Sequence, residues 1–223
     1  MTQSDRALEI LRAAAGPVPV SDLKAAGVSP ETLRRMVEAG TAERPAAGHY
    51  ALAGRVSVAD LDWVAFALQV PEGVIGLLTA AVHHGMTQEM PAHMQAFVPR
   101  NRSGGIRLGG DSSAYVDTVA PRNPLYLEEG IETVVLSGTA VRVTGRERTL
   151  VDLFQFSPFS GRTTERNARV PEESFLESLS RCVADPGFSF DAVHDIAAAF
   201  GCEERLRPFT KTSRYDAPRQ PGF

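Results

Sequence analysis

Near the start of the chain, Ser21, Ser29, Thr32, Arg34, Arg35, Arg44 and His49 form a set whose side-chain types suit nucleic-acid recognition. A guanidinium pairs with guanine edges in a major groove, and short hydroxyls reach bases or phosphate oxygens. Elsewhere, His83, His84 and His93 with Asp111 or Asp117 offer donors for a metal ion, but their spacing matches no known metal pattern. Adjacent histidines on a helix point about 100° apart, and His84 before Gly85 suits a helix terminus, where the dipole favours it. Gly104–Gly110 has the glycine content of a phosphate loop without the Lys-Ser/Thr pair or the GxGxxG spacing, and reads as a loop or hairpin turn. Thr149 and Asp152 share a helical face; they read as capping or inter-element hydrogen-bond partners, with an antitoxin or nucleotide-binding role as the alternative. There is no GxSxG or HExxH, and Glu128-Glu129 and Glu172-Glu173 read as solvated surface. No catalytic residue, metal site or cofactor is therefore assigned, and an enzyme is not expected.

The elements that must position the first set follow from local patterning. Ser4–Ala15 has helical periodicity with Ser4 as its cap, and Gly16-Pro17 stops it. Ser21 caps a short helix over Asp22–Ala26, and Ser29-Pro30-Glu31 opens a third that runs to Ala39. In that helix Leu33, Met36 and Val37 recur at i, i+3 and i+4 and face inward, which leaves Glu31, Thr32, Arg34, Arg35 and Glu38 outward. Thr41–Arg44 and His49–Leu52 flank the turn-forming Pro45-Ala46-Ala47-Gly48 and make a hairpin. Three helices followed by a hairpin is the order of a winged helix-turn-helix. Its third helix would enter a major groove, Arg44 and His49 near the hairpin tip would reach phosphates or a minor groove, and Ser21 a phosphate. Glu31 and Glu38 share the exposed face and oppose phosphate, so a purely protein-contacting role for this module is the competing reading.

The rest of the chain reads as helix over Val56–Val70 and Gly73–His84, strand over Met94–Val98 and Ala114–Val119, and a hairpin of Glu132–Leu136 with Ala140–Thr144. Helices are expected over Arg146–Phe156, Glu172–Val183, Phe190–Phe200 and Glu203–Phe209, with a loop at Ser157–Arg169 and a fraying tail from Ser213. The fold class is α+β: a winged helix-turn-helix domain at residues 1–54, then a domain at 55–223 with a small mixed or antiparallel sheet flanked by helices. The length of 223 residues accommodates two modest domains, and 43% hydrophobic with 22% charged residues is an ordinary globular mix that argues against long disorder. Net charge is −4, so attraction to nucleic acid has to come from local clustering rather than from the total. Apolar runs are too short for a bilayer span, the N-terminus has no secretory pattern, and Cys182 and Cys202 lack CxxC spacing. A cytoplasmic protein with buried free thiols is expected.

In the segments GHYALAG, GVIGLLTAAVHHGMT, MQAFVP and EEGIETVVLSGTAVRVTGRERTLVDLF, the sequence resembles the AbiEi family of antitoxins and viral-defence transcriptional regulators. Gly130-Ile131, Val141–Thr144 and Arg148-Thr149-Leu150-Val151-Asp152 are its most specific parts. The resemblance implies a type IV toxin-antitoxin system acting in abortive infection and phage defence. A winged helix would repress the protein's own operon, and a C-terminal domain would antagonise a nucleotidyltransferase-like toxin, by direct contact or otherwise. The implied partners are double-stranded DNA of its own promoter, with operators as inverted repeats, and that toxin; no membrane is involved. Ser157–Arg169 departs from the family pattern, so no toxin-neutralising residue is assigned. Two alternatives remain: a solitary regulator whose C-terminal domain dimerises or senses a ligand, and a nucleic-acid-processing enzyme that the winged helix docks.

Overall fold

The structure is a computed structural model that describes residues 2–161 and 168–215. Helix makes up 47% and strand 18%, the mixed content of an α+β protein. The chain divides into two compact units that alternate along the sequence: Met1–Gly73 with Val98–Ala120 and Thr133–Arg142, and Val74–Phe97 with Pro121–Glu132 and Val143–Phe223. No described helix is long and apolar enough to cross a membrane.

In the first unit, α1 (Gln3–Ala13) is capped by Thr2 rather than Ser4. The Thr2 hydroxyl accepts from the Asp5 N–H at 3.1 Å and the Asp5 carboxylate accepts from the Thr2 N–H at 2.8 Å, a reciprocal box that moves the start of the helix forward. β1 (Val18–Pro19) precedes α2 (Val20–Ala25), which begins earlier than Ser21 and has no side-chain cap, because the Val20 N–H already reaches the Gly48 carbonyl at 2.7 Å. α3 (Pro30–Glu38) has the expected Ser29 cap, whose hydroxyl accepts from the Thr32 N–H at 3.2 Å, and Pro30 in its first turn. Leu33 and Met36 are buried with Ala7, Leu11, Val18, Leu23 and Val28 in the core beneath these helices.

β2 (Ala42–Ala46) and β3 (His49–Leu52) form an antiparallel sheet with β1 in the order β1-β3-β2. The connection is the two residues Ala47-Gly48, with Gly48 at φ 75°, so the turn is shorter than Pro45–Gly48. Pro45 lies inside β2, at the irregularity between Glu43 and Ala46 on the outer strand, where a missing N–H costs no ladder bond. The expected helix over Val56–Val70 is confined to α4 (Leu61–Gln69). The residues before it are held as a turn, since the Glu43 carboxylate accepts from the Gly54 N–H at 2.9 Å and the Val56 N–H at 2.7 Å.

In the second unit, Gly73–His84 divides into β4 (Val74–Ile75) and α5 (Leu77–His83) instead of forming one helix. The break lies at Gly76, whose N–H bonds the Gln95 carbonyl at 3.1 Å, and at Leu77, which has φ 54°; the Gln95 side chain then accepts from the Leu78 N–H at 3.0 Å. β4 pairs antiparallel with β5 (Met94–Phe97) at Val74↔Phe97 and Ile75↔Ala96. In the first unit, β6 (Ile106–Arg107) pairs antiparallel with β7 (Tyr115–Val119). Next come β8 (Ile131–Leu136) and β9 (Thr139–Thr144), and β4 runs parallel to β9 at Ile75↔Val143. α6 (Arg146–Phe156) coincides with its expected span. α7 (Glu172–Ala184), α8 (Phe190–Ala199) and α9 (Glu203–Tyr215) follow, with Phe154, Phe159, Phe175 and Phe209 packed ring on ring at 5.1–5.8 Å. α9 continues past the expected Phe209 to Tyr215, and the rest of the expected fraying tail lies outside the described residues. Of the expected loop Ser157–Arg169, Pro158–Ser160 forms a 3-10 turn and residues 162–167 lie outside the described residues.

The tip of the β8–β9 hairpin is tied within the first unit. Ser137 and Gly138 both have positive φ, 46° and 77°, the backbone of a two-residue turn that matches strand twist. The Ser137 hydroxyl donates to Asp60 at 2.8 Å and accepts from the Ser57 N–H at 3.1 Å, while a Cβ at Gly138 would stand 1.9 Å from the Ala15 carbonyl oxygen. Gly40 has a similar φ of 67° with open space around it. Gly40→Ala should therefore cost only the backbone term of about 1–2 kcal/mol, and Gly138→Ala distinctly more. Urea unfolding of the two variants checks this; equal midpoints would show that the hairpin tip does not seat against Ala15-Gly16.

Candidate nucleic-acid interface

The sequence-chosen residues of α3 share one exposed helix, but their functional groups are already engaged. The Thr32 hydroxyl lies 2.9 Å from that of Ser29 and donates to the Gln3 side-chain oxygen at 2.9 Å, which also accepts from the Ser29 N–H at 3.0 Å. The Gln3 side chain therefore braces the start of α3 on the first turn of α1 through the Thr32 hydroxyl and the Ser29 N–H. Arg34 reaches Glu31 through Nη2 at 2.9 Å and through Nε at 3.2 Å, and Glu38 through Nη1 at 2.5 Å. Arg35 bonds Glu31 through Nε at 3.1 Å. All four side chains are more than half exposed, so the pairs sit in high dielectric, are screened by salt and exchange readily for another anion.

On the hairpin, Arg44 is exposed, and its backbone N–H and C=O are both taken by Asp111: the N–H donates to the carboxylate at 2.7 Å and the carbonyl accepts from the Asp111 N–H at 2.7 Å. Half-buried His49 opens β3, with Nδ1 3.2 Å from the Ala47 carbonyl. Ser21 is exposed on α2 and donates to Asp22 at 3.0 Å, which sets a carboxylate beside the hydroxyl. In the first unit Ser29 caps α3, which carries Thr32, Arg34 and Arg35, while Arg44 and His49 lie on the hairpin and Ser21 on a separate helix. Sequence reasoning missed Glu43 and weighed Asp111 only as a metal donor, whereas both carboxylates bind backbone around the hairpin. An aspartate directly after Gly109-Gly110 was their one visible signal.

The residues weighed for catalysis have structural partners. His84 follows α5 and its Nε2 lies 2.7 Å from the Thr144 carbonyl; its ring is 5.0 Å from that of His83, whose pKa is lowered by burial and then by His84. No group of three or more His, Cys, Asp or Glu among the described residues is placed to hold a metal ion. Gly104–Gly110 carries β6, so the glycine-rich segment is partly strand. Cys182 and Cys202 are buried free thiols, and burial pushes Cys182 up to about 12, which removes its nucleophilic thiolate at neutral pH. Thr149 donates to the Thr144 carbonyl at 3.2 Å and meets its hydroxyl at 2.7 Å, linking α6 to the end of β9.

Arg148 and Asp152, one turn apart on α6, are fully buried and 2.9 Å apart. The guanidinium also donates to the Glu129 carbonyl and lies over the rings of Phe200, Tyr126 and Phe97 at 4.2, 5.1 and 5.5 Å. Burial raises the Asp152 carboxyl from the ordinary 3.8 to about 6, against the opposing pull of Arg148. A native acid with a raised pKa binds more protons than the unfolded chain between pH 3.8 and about 6, so its contribution to stability falls as pH rises through that window. Urea midpoints of wild type and Asp152→Asn across the window should show the difference between them declining with pH; a constant difference would refute the raised pKa. On the surface, Arg34 and then Arg35 hold Glu31 down at about 2 by hydrogen bonding. NMR titration should find that low midpoint in the wild type and a return toward 4.5 in Arg34→Ala, Arg35→Ala, and an unmoved midpoint would mean that the pairs do not persist in solution.

Residues 5–53, which run from within α1 to just past β3, match the sequence model of the family described as transcriptional regulator, AbiEi antitoxin. Curated proteins give no match. Among solved structures, the fold is similar to the crystal structure of the Rv2827c protein from Mycobacterium tuberculosis, at 17% identity and a TM-score of 0.56, covering 96% of this chain and 78% of that one.

Proposed function

We propose that this chain is a DNA-binding antitoxin that represses its own toxin-antitoxin operon. The match of residues 5–53 to a family of antitoxin transcriptional regulators carries the reading and supports a regulatory role. The element order α1, β1, α2, α3, β2, β3, with Arg34 and Arg35 exposed on α3, supports a winged helix-turn-helix over residues 1–54. In this reading α3 enters the major groove, where Arg34 and Arg35 exchange Glu31 and Glu38 for base edges and phosphates, while Ser29 and Thr32 orient the helix. Arg44 and His49 follow the adjacent backbone and Ser21 offers a hydroxyl to a phosphate. Residues 55–223 antagonise a nucleotidyltransferase-like toxin. The protein acts in the cytoplasm, on operators arranged as inverted repeats.

The exposed glutamates set the expected character of binding. Each must move aside before its arginine meets DNA, so affinity is modest and falls steeply with salt. Fluorescence anisotropy on the DNA upstream of the gene, against a shuffled duplex at two salt concentrations, tests the reading. The upstream duplex should bind more tightly, and Arg34→Ala, Arg35→Ala should lose one to several decades on it, at about 1–3 kcal/mol per arginine-base contact. Equal, weak binding of both duplexes would move α3 to a protein-contact role.

A further inference from the structure

We propose that Arg100–Gly110 is a second phosphate-binding element, continuous with the β2–β3 hairpin and lying along the backbone of the same DNA duplex. This rests on the reading of α3 and the hairpin as DNA-binding. The segment RNRSGGIRLGG carries Arg100, Arg102 and Arg107, and no acid occurs anywhere between Glu89 and Asp111. All three arginines are exposed, and no ion pair engages them among the described residues. Arg34 and Arg35 have to release glutamates to meet an anion, whereas these three release only water and counterions, the process that dominates phosphate binding.

The segment is fastened to the hairpin at its far end. Asp111 takes both backbone groups of Arg44. At Gly110, φ is 102° and a Cβ would stand 2.4 Å from the Arg44 carbonyl oxygen, so only glycine allows the two backbones to lie so close. A Cβ at Gly109 would lie 3.4 Å from that of Ala47, at the hairpin turn, and the Gly109 N–H donates to Gln69 at 2.8 Å. Buried Leu108 and the pairing of Ile106 and Arg107 with β7 fix the middle of the segment. The single acid at its end is also used here, since the Asp111 carboxylate faces the Arg44 N–H. Arg107 and Arg44 therefore belong to neighbouring, mutually hydrogen-bonded stretches of backbone. Such contacts read charge and position the protein without reading sequence.

The test uses the full chain and the same upstream and shuffled duplexes. Arg100→Ala, Arg102→Ala, Arg107→Ala should weaken binding to both by a similar factor, about tenfold or more at low salt. The slope of log K against log salt should flatten by about 0.9 for each phosphate that is no longer neutralised. The triple Arg→Lys variant, which keeps the charge, should bind nearly as the wild type does. An alanine variant with wild-type affinity and slope on both duplexes would overturn the proposal and leave the winged-helix reading intact. Weaker binding of the upstream duplex alone would also overturn it, as would failure of the lysine variant to restore binding. A wild type that binds neither duplex would instead overturn the proposed function itself.

Discussion

A cation with no access to water sits at the centre of the second unit, and the surroundings of Arg148 follow from that constraint. An unpaired buried charge costs several kcal/mol, so each face of the guanidinium has to meet an anion, a carbonyl or an aromatic ring. Asp152 supplies the anion from the same helix, Glu129 the carbonyl, and Phe97, Tyr126 and Phe200 the rings. One side chain thereby fixes how α6, the end of β5, the Tyr126–Glu129 turn and the end of α8 stand around it. The Arg148–Asp152 segment is accordingly a packing device, with its charged groups turned inward.

The first unit handles charge in the opposite way. Several of its carboxylates serve backbone: Asp5 at the start of α1, Glu43 at the turn before α4, and Asp111 at the edge of β2. Others take serine hydroxyls, as Asp60 does with Ser137, while Glu31 and Glu38 are set against arginines and are exposed. A chain with an overall charge of −4 can therefore present a cationic strip, because the nearby acids are consumed locally or are exchangeable. This accounts for why the net balance said so little about partners.

Much of this architecture was legible in the sequence, for identifiable reasons. α3 was readable because Ser29-Pro30 is a strong local start signal and Leu33 with Met36 sets the buried face. α6 was readable because its apolar residues alternate with turn chemistry at both ends. The misses arose where a distant partner overrode local preference. Gly73–His84 reads as one apolar helix, yet Gln95 claims the Gly76 and Leu78 N–H groups and forces the break. Residues 56–60 fit a helix by pattern, but Glu43 and Ser137 hold them as a turn. At the candidate interface, the identities and exposure of Arg34, Arg35 and Arg44 were visible, as was the presence of Glu31 and Glu38 three and four residues away on the same face. The nearness of residues 100–110 to the hairpin was not, because it depends on contacts between residues far apart in the chain, which no local spacing encodes.

The arrangement at β2 also bears on association. An outer strand normally offers a row of free N–H and C=O groups on which another chain can polymerise. Here Pro45 has no N–H to give, the strand is irregular between Glu43 and Ala46, and Asp111 occupies both groups of Arg44. The β2 margin of the three-stranded sheet is thus poorly suited to strand addition by another molecule. In the proposed reading, two copies on the halves of an inverted repeat would not join through strand pairing at β2.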